Sequence, residues 1–83
     1  MDILYFAWVR ERIGVDREQL DPPEDITDVG GLIGWLTGRS PGHASALGDI
    51  ARLRAAVDQK FAAFDTPIAG VREVAIFPPV TGG

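Results

Sequence analysis

Cysteine is absent from this chain of 83 residues, and histidine, lysine and tyrosine occur once each, as His43, Lys60 and Tyr5. Without cysteine there are no disulfides, thiolate metal sites, cysteine nucleophiles or iron–sulfur clusters, which is compatible with a cytoplasmic address. A single histidine excludes any multi-histidine metal centre, so no bound metal is expected. No apolar run approaches the ~18–20 residues that span a bilayer, and the Met1-Asp2 start lacks a cationic leader region, so neither a membrane span nor a signal peptide is expected. Basic charge is also scarce. Eight Lys+Arg against twelve Asp+Glu give a net charge of −4, the wrong sign for a general nucleic-acid binder.

What is present describes one small domain. A chain of this size buries roughly 60% of its unfolded surface, enough for one modest core. Hydrophobic residues make up 46% and charged residues 24%, an ordinary globular balance. The acidic excess is local: residues 1–28 hold eight acids and three arginines, a net of −5, whereas residues 29–83 hold four acids and five bases, a net of +1. Asp16, Glu18, Asp21, Glu24, Asp25 and Asp28 are read as one acidic face, either a solvated edge or a docking surface for a basic partner.

Met1–Trp8 is apolar on both alternating sets and predicts a strand buried on both faces in the middle of a sheet. Val9–Ile13, reaching Gly14, reads as a short turn or a single helical turn. Val15–Leu20 is a polar edge strand, stopped by Pro22-Pro23. Thr27 is the expected N-cap of a helix, with Asp28 in its first turn. Val29, Leu32, Ile33 and Leu36 then form one apolar stripe, and Gly38 is the expected stop. Gly30, Gly31 and Gly34 within this helix each cost about 1 kcal/mol relative to alanine. They mark either a close backbone approach or a poor helix. Arg39–Gly48 reads as loop with one helical turn at most. Leu53, Ala55 and Val57 alternate as a half-buried strand, Phe61–Phe64 could pair back as a hairpin, and Val71–Phe77 is the last strand. The order β-β-α-β-β-β predicts an α+β fold: a β-grasp with a mixed sheet of about five strands and one principal helix across one face. The first and last strands, being most apolar, are placed side by side and parallel at the centre.

Side-chain catalysis has little to work with. Ser40 and Ser45 flank His43, but a Ser–His–acid arrangement needs a buried, oriented base, and a Pro-Gly loop offers none. Gly30-Gly31 and Gly34 lie in a helix pattern with no following lysine, so they form no phosphate loop. Phe6, Trp8, Trp35, Phe61, Phe64 and Phe77 read mostly as core. One helix cannot cover both faces of a sheet, however, so apolar surface should remain for a partner, with Phe77 the leading candidate.

The residues after the last strand point elsewhere. Phe77-Pro78-Pro79-Val80-Thr81-Gly82-Gly83 stiffens through two prolines and closes on two glycines, so residues 1–77 are read as the domain and 78–83 as a flexible Gly-Gly tail. Prolines restrict the exit direction, and glycines let the backbone enter a channel too narrow for a Cβ. Seven extended residues reach roughly 23–25 Å. That form suits a protein whose reactive group is its own α-carboxylate, delivered into another protein. Adenylation would give this carboxylate a leaving group, and sulfur transfer would then yield a thiocarboxylate.

This tail resembles the C-terminal signature of the molybdopterin synthase small-subunit family. Phe6-Ala7-Trp8-Val9-Arg10-Glu11 is similar to that family's Phe-Ala-x-x-Arg-Glu segment, Ala56-Val57-Asp58-Gln59 to its Ala-Val-Asn-Gln turn, and Phe64-Asp65-Thr66-Pro67 to its next corner. Asp58 in place of asparagine and the three helix glycines depart from the pattern. The resemblance implies a ubiquitin-like β-grasp whose Gly83 is adenylated by an ATP-dependent enzyme, sulfurated, and inserted into a large synthase subunit within a heterotetramer. There it would donate sulfur to cyclic pyranopterin monophosphate, two carriers serving each dithiolene. It further implies that catalytic side chains belong to the large subunit, that the chain binds no cofactor, that Pro78 to Gly82 thread the partner and that Phe77 docks on it. Three rivals remain: a thiamine-pathway sulfur carrier, although those chains are usually shorter and lack the Phe-Pro-Pro-Val-Thr run; a protein tag joined through Gly83; and an interaction module with an inert end.

Overall fold

The computed structural model describes residues 1–79. Strand β1 (Asp2–Tyr5) leads into helix α1 (Ala7–Ile13), strand β2 (Arg17–Gln19), helices α2 (Val29–Thr37) and α3 (Pro41–Leu47), and then strands β3 (Arg54–Val57), β4 (Lys60–Ala62) and β5 (Glu73–Phe77). The strands form one sheet in the order β2-β1-β5-β3-β4. β1 and β5 are parallel neighbours, Ile3 opposite Val74 and Tyr5 opposite Ile76, and the other pairings are antiparallel. The expected β-grasp is present, with its parallel pair inside the sheet.

Three helices, rather than one, share a single side of that sheet. Val9 of α1, the Val29/Leu32/Ile33/Leu36 stripe of α2, and Ala46 and Leu47 of α3 pack on Ile3, Tyr5, Ala55, Val74 and Ile76. Burying each large aliphatic side chain contributes about 1.5–3 kcal/mol before chain entropy is counted.

The first strand is shorter than its apolar run, and only one of its faces is fully buried. The chain leaves the sheet after Tyr5 through Ala7, which holds a left-handed φ of +54°, so Trp8 belongs to α1. The expected single turn at Val9–Ile13 is thus a two-turn helix, ended by Gly14 at φ +97° with its N–H on the Arg10 carbonyl. Tertiary packing overrides strand propensity here, because Val9 is needed in the core.

Helix α2 is capped by Asp28, not Thr27: Asp28 Oδ1 accepts from Gly31 N–H at 2.7 Å. The Val29 and Gly30 N–H groups donate to the Thr66 and Phe64 carbonyls, so the first turn leaves none of these three donors unpaired. Gly30 is the close approach, since a Cβ there would lie 3.3 Å from the Phe64 carbonyl oxygen, whereas a Cβ on Gly34 would meet nothing. Gly38 ends the helix with a right-handed φ of −81°, so its glycine freedom goes unused.

The segment expected to be loop forms α3. Ser40 caps it, Pro41 opens it, and Gly42 lets it lie against α1, where a Cβ would come 2.5 Å from the Arg12 carbonyl oxygen. At the β3–β4 hairpin, Asp58 (φ +47°) and Gln59 (φ +72°) make the two-residue turn. Asp58 Oδ1 also accepts from the N–H groups of Arg72 and Glu73, at 3.1 and 3.0 Å, so the aspartate ties the turn to the start of β5.

Candidate functional site

Strand register determines what the uncovered side of the sheet presents. Val74 and Ile76 point into the helix-covered core, so Phe77 falls on the opposite face, as does Phe61, which pairs with Ala56 rather than with the core-facing Ala55. The Phe61 and Phe77 rings lie 5.9 Å apart, centroid to centroid. Phe61 is 85% exposed and Phe6 46%, and Phe6 donates its N–H to the Ile76 carbonyl beside the end of β5. Phe61, Ala62, Ala63, Phe77, Pro79 and Arg54 border an open groove of about 510 Å³. The central strand therefore runs out through an apolar patch that the described residues do not cover.

Phe77, expected as the docking contact, is half-buried within this patch, and Pro78 and Pro79 leave from it, also half-buried. Val80, Thr81, Gly82 and Gly83 lie outside the described residues. Phe6 and Phe61, read as core from composition, belong instead to the exposed patch. Periodicity could have found them only with knowledge of which sheet face the helices cover.

A second cluster overturns the reading of His43 as a loop residue. His43 is buried in α3, its ring edge-on to Tyr5 at 6.0 Å. Its Nε2 lies 2.9 Å from Glu18 Oε2 and its Nδ1 lies 2.7 Å from Ser40 Oγ. A carboxylate only accepts, so Nε2–H donates to Glu18 and Nδ1 is left to the Ser40 hydroxyl. Tyr5 donates its hydroxyl to the same Glu18 oxygen at 2.6 Å, and Arg39 stands 4.0 Å from the other. Burial alone raises the Glu18 pKa. The Tyr5 and His43 hydrogen bonds, with the His43 and Arg39 charges, outweigh it and hold the carboxyl below its ordinary value. Burial, then the Glu18 bond, pushes Tyr5 far above the usual phenol range.

A buried, oriented histidine therefore exists, linking a serine to a carboxylate. The ring nitrogens are reversed relative to a hydrolase triad, and Ser40 Oγ already accepts the His43 N–H as the cap of α3. The cluster is a joint that fastens edge strand β2 to α3. It also removes Glu18 from the expected acidic face, just as capping removes Asp28, while Asp16, Asp21, Glu24 and Asp25 stay exposed.

A mixed five-stranded sheet grasping its helices from one side, with the central strand leading out through an apolar patch, is the architecture of the ubiquitin-like β-grasp proteins. Residues 3–83 match the ThiS family, and the chain belongs to it. It is 42% identical over 81 residues to the molybdopterin synthase sulfur carrier subunit of Escherichia coli K12, covering 98% of this chain and 96% of that one. It is 34% identical over 83 residues to the subunit of the same name from Haemophilus influenzae, covering 100% and 99%. Crystal structures of the small archaeal modifier protein SAMP1 from Haloferax volcanii superpose with a TM-score of 0.76, one at 31% identity over 100% of this chain and 98% of that one. No helix among the described residues is long and apolar enough to cross a membrane.

Proposed function

We propose that this protein is the sulfur carrier subunit of a molybdopterin synthase and that its working group is the α-carboxylate of Gly83. The observation that carries the reading is the likeness to two such subunits over nearly their whole lengths, together with the exit of Phe77-Pro78-Pro79 through an uncovered aromatic patch.

In this reading the Gly83 carboxylate attacks the α-phosphorus of ATP in a separate activating enzyme, forming an acyl-adenylate and releasing pyrophosphate. A sulfur donor displaces AMP and leaves a thiocarboxylate. Within the large subunit the thiocarboxylate sulfur bonds to a side-chain carbon of cyclic pyranopterin monophosphate as an oxygen substituent leaves that carbon, giving a thioester between carrier and pterin. Water then releases the sulfur to the pterin and restores the carboxylate, so two carriers supply one dithiolene. The chain supplies no catalytic side chain and no cofactor of its own. Pro78 to Gly82 thread the partner channel, and Phe77, with Phe6 and Phe61, docks the body on the large subunit in the cytoplasm.

Reconstitution tests this reading. Thiocarboxylated protein, the large subunit and cyclic pyranopterin monophosphate should yield molybdopterin in proportion to the carrier added, and protein lacking Gly83 should yield none while remaining folded. Formation of molybdopterin without Gly83 would rule the reading out. The likeness to SAMP1, a modifier protein by name, favours one second reading, a tag joined through Gly83 to lysines of other proteins. Isopeptide-linked Gly82-Gly83 remnants in cells expressing this chain would support the tag.

A further inference from the structure

Beside the root of the tail the aromatic patch gives way to a basic corner. Trp8 lies half-buried in α1, and the guanidinium carbons of Arg12 and Arg52 stand over its ring, 4.6 and 5.1 Å from the centroid. Arg12, four residues along the same helix, is held by a bond from Nη1 to the Ser45 carbonyl at 3.3 Å. Arg52 comes from the 3₁₀ turn Ile50–Arg52 that precedes β3. Trp8, Ala51 and Arg52 join Pro78 and Pro79 around a groove of about 300 Å³, so the corner borders the same groove as the first tail residues.

Both guanidiniums are exposed, and among the described residues neither pairs with a carboxylate; the ion pairs there join Glu18 to Arg39 and His43. Two like charges gathered over one indole repel each other, and an exposed cation–π contact returns only about 0.5–1 kcal/mol apiece. The chain carries more acids than bases, and two of them stand close by: Glu11 next to Arg12 in α1, and Asp49 at the cap of the Arg52 turn, where it accepts from the Ala51 N–H. Among the described residues neither forms an ion pair with these arginines. An arrangement that holds two planar donor forks together, with the Ser45 carbonyl on one of them and, among the described residues, no carboxylate on either, is complementary to an external carboxylate surface.

We propose that Trp8, Arg12 and Arg52 form a docking contact for carboxylates on the protein that receives the tail, the large synthase subunit. The partner would grip the tail root by charge on this flank and by Phe61 and Phe77 on the other. The proposal rests on the carrier reading. A nucleotide phosphate is the weaker match, because Gly83 is four residue steps beyond Pro79, up to about 14 Å when threaded through a channel. An adenylate on Gly83 would then lie well beyond Arg52.

The test measures binding of the full chain to the large subunit from the same organism, at about 50 mM and about 500 mM salt, where screening lengths differ severalfold. The R12E/R52E variant should bind about tenfold or more weakly at low salt, mainly through slower association, and the gap should close at high salt. In a Trp35→Phe background, Trp8 fluorescence should change on binding. Arg52→Glu alone, which breaks no hydrogen bond seen among the described residues, should weaken binding about threefold and serves if the double variant unfolds. Wild-type affinity in both variants at low salt overturns the proposal and leaves the carrier reading intact. Failure of the wild-type chain to bind the large subunit overturns both.

Discussion

The two faces of the sheet are built from neighbouring residues of the same strands and meet opposite fates. On one side Ile3, Tyr5, Ala55, Val74 and Ile76 are no more than 2% exposed beneath three short helices. On the other, Phe61 stands 85% exposed with Phe77 beside it, and Phe6, just past the end of β1, is 46% exposed. Apolar character does not separate the two sets. Register does, because shifting by one residue along a strand moves a side chain to the other face. One face stabilises the monomer, and the other is free to be buried by a second protein.

Substitutions on adjacent positions can break that comparison. Ile76→Ala should destabilise the fold by about 2–5 kcal/mol in denaturant unfolding, since its neighbours cannot close the cavity. Phe61→Asp should do the reverse. Its unfolding free energy should stay within about 0.5 kcal/mol of wild type, while affinity for the large subunit should fall about thirtyfold or more, roughly 2 kcal/mol. A loss of stability at Phe61 matching that at Ile76 would make the open face part of the core and end the distinction.

The polar joint on the covered side sharpens the contrast. Glu18 has a lower pKa folded than unfolded, so the stability it contributes is fully present above about pH 4.5 and is lost as pH falls through its lower folded value. Glu18→Gln should flatten stability against pH in that acidic range, measured by thermal unfolding. An unchanged acid limb would show that the Tyr5–Glu18–His43 cluster contributes no pH-dependent stability. The smallest expected effects lie in α2. Gly34→Ala should stabilise by about 0.5–1 kcal/mol, because the new methyl meets open space. Gly30→Ala should gain nothing, because that methyl crowds the Phe64 carbonyl. Equal gains at both positions would remove the close approach as the reason for glycine at Gly30.

Much of the architecture was legible. The stripe from Val29 to Leu36 identified the principal helix, and the apolar first and last strands identified the parallel pair. What could not be read depended on long-range packing. Ala7 enters a left-handed conformation to bring Val9 into the core, and no local preference of alanine announces that. Helix α3 was hidden because Ser40, Pro41 and Gly42 are turn residues singly, whereas together they supply a cap, an N-terminal proline and a close contact with α1. His43 appeared idle because its partners, Glu18 and Tyr5, lie 25 and 38 positions away. At the site, the tail signature was plain in the sequence, but its aromatic surroundings required the register.

The account stands on Gly83 as the reacting residue. Its most direct test is intact-protein and C-terminal peptide mass spectrometry after incubation with the activating enzyme, ATP and a sulfur donor, with the Escherichia coli carrier as the positive control. Exchange of one Gly83 carboxyl oxygen for sulfur, dependent on ATP and lost when AMP formation is blocked, is the predicted result. A terminus that stays unmodified while the control is fully loaded would contradict the account.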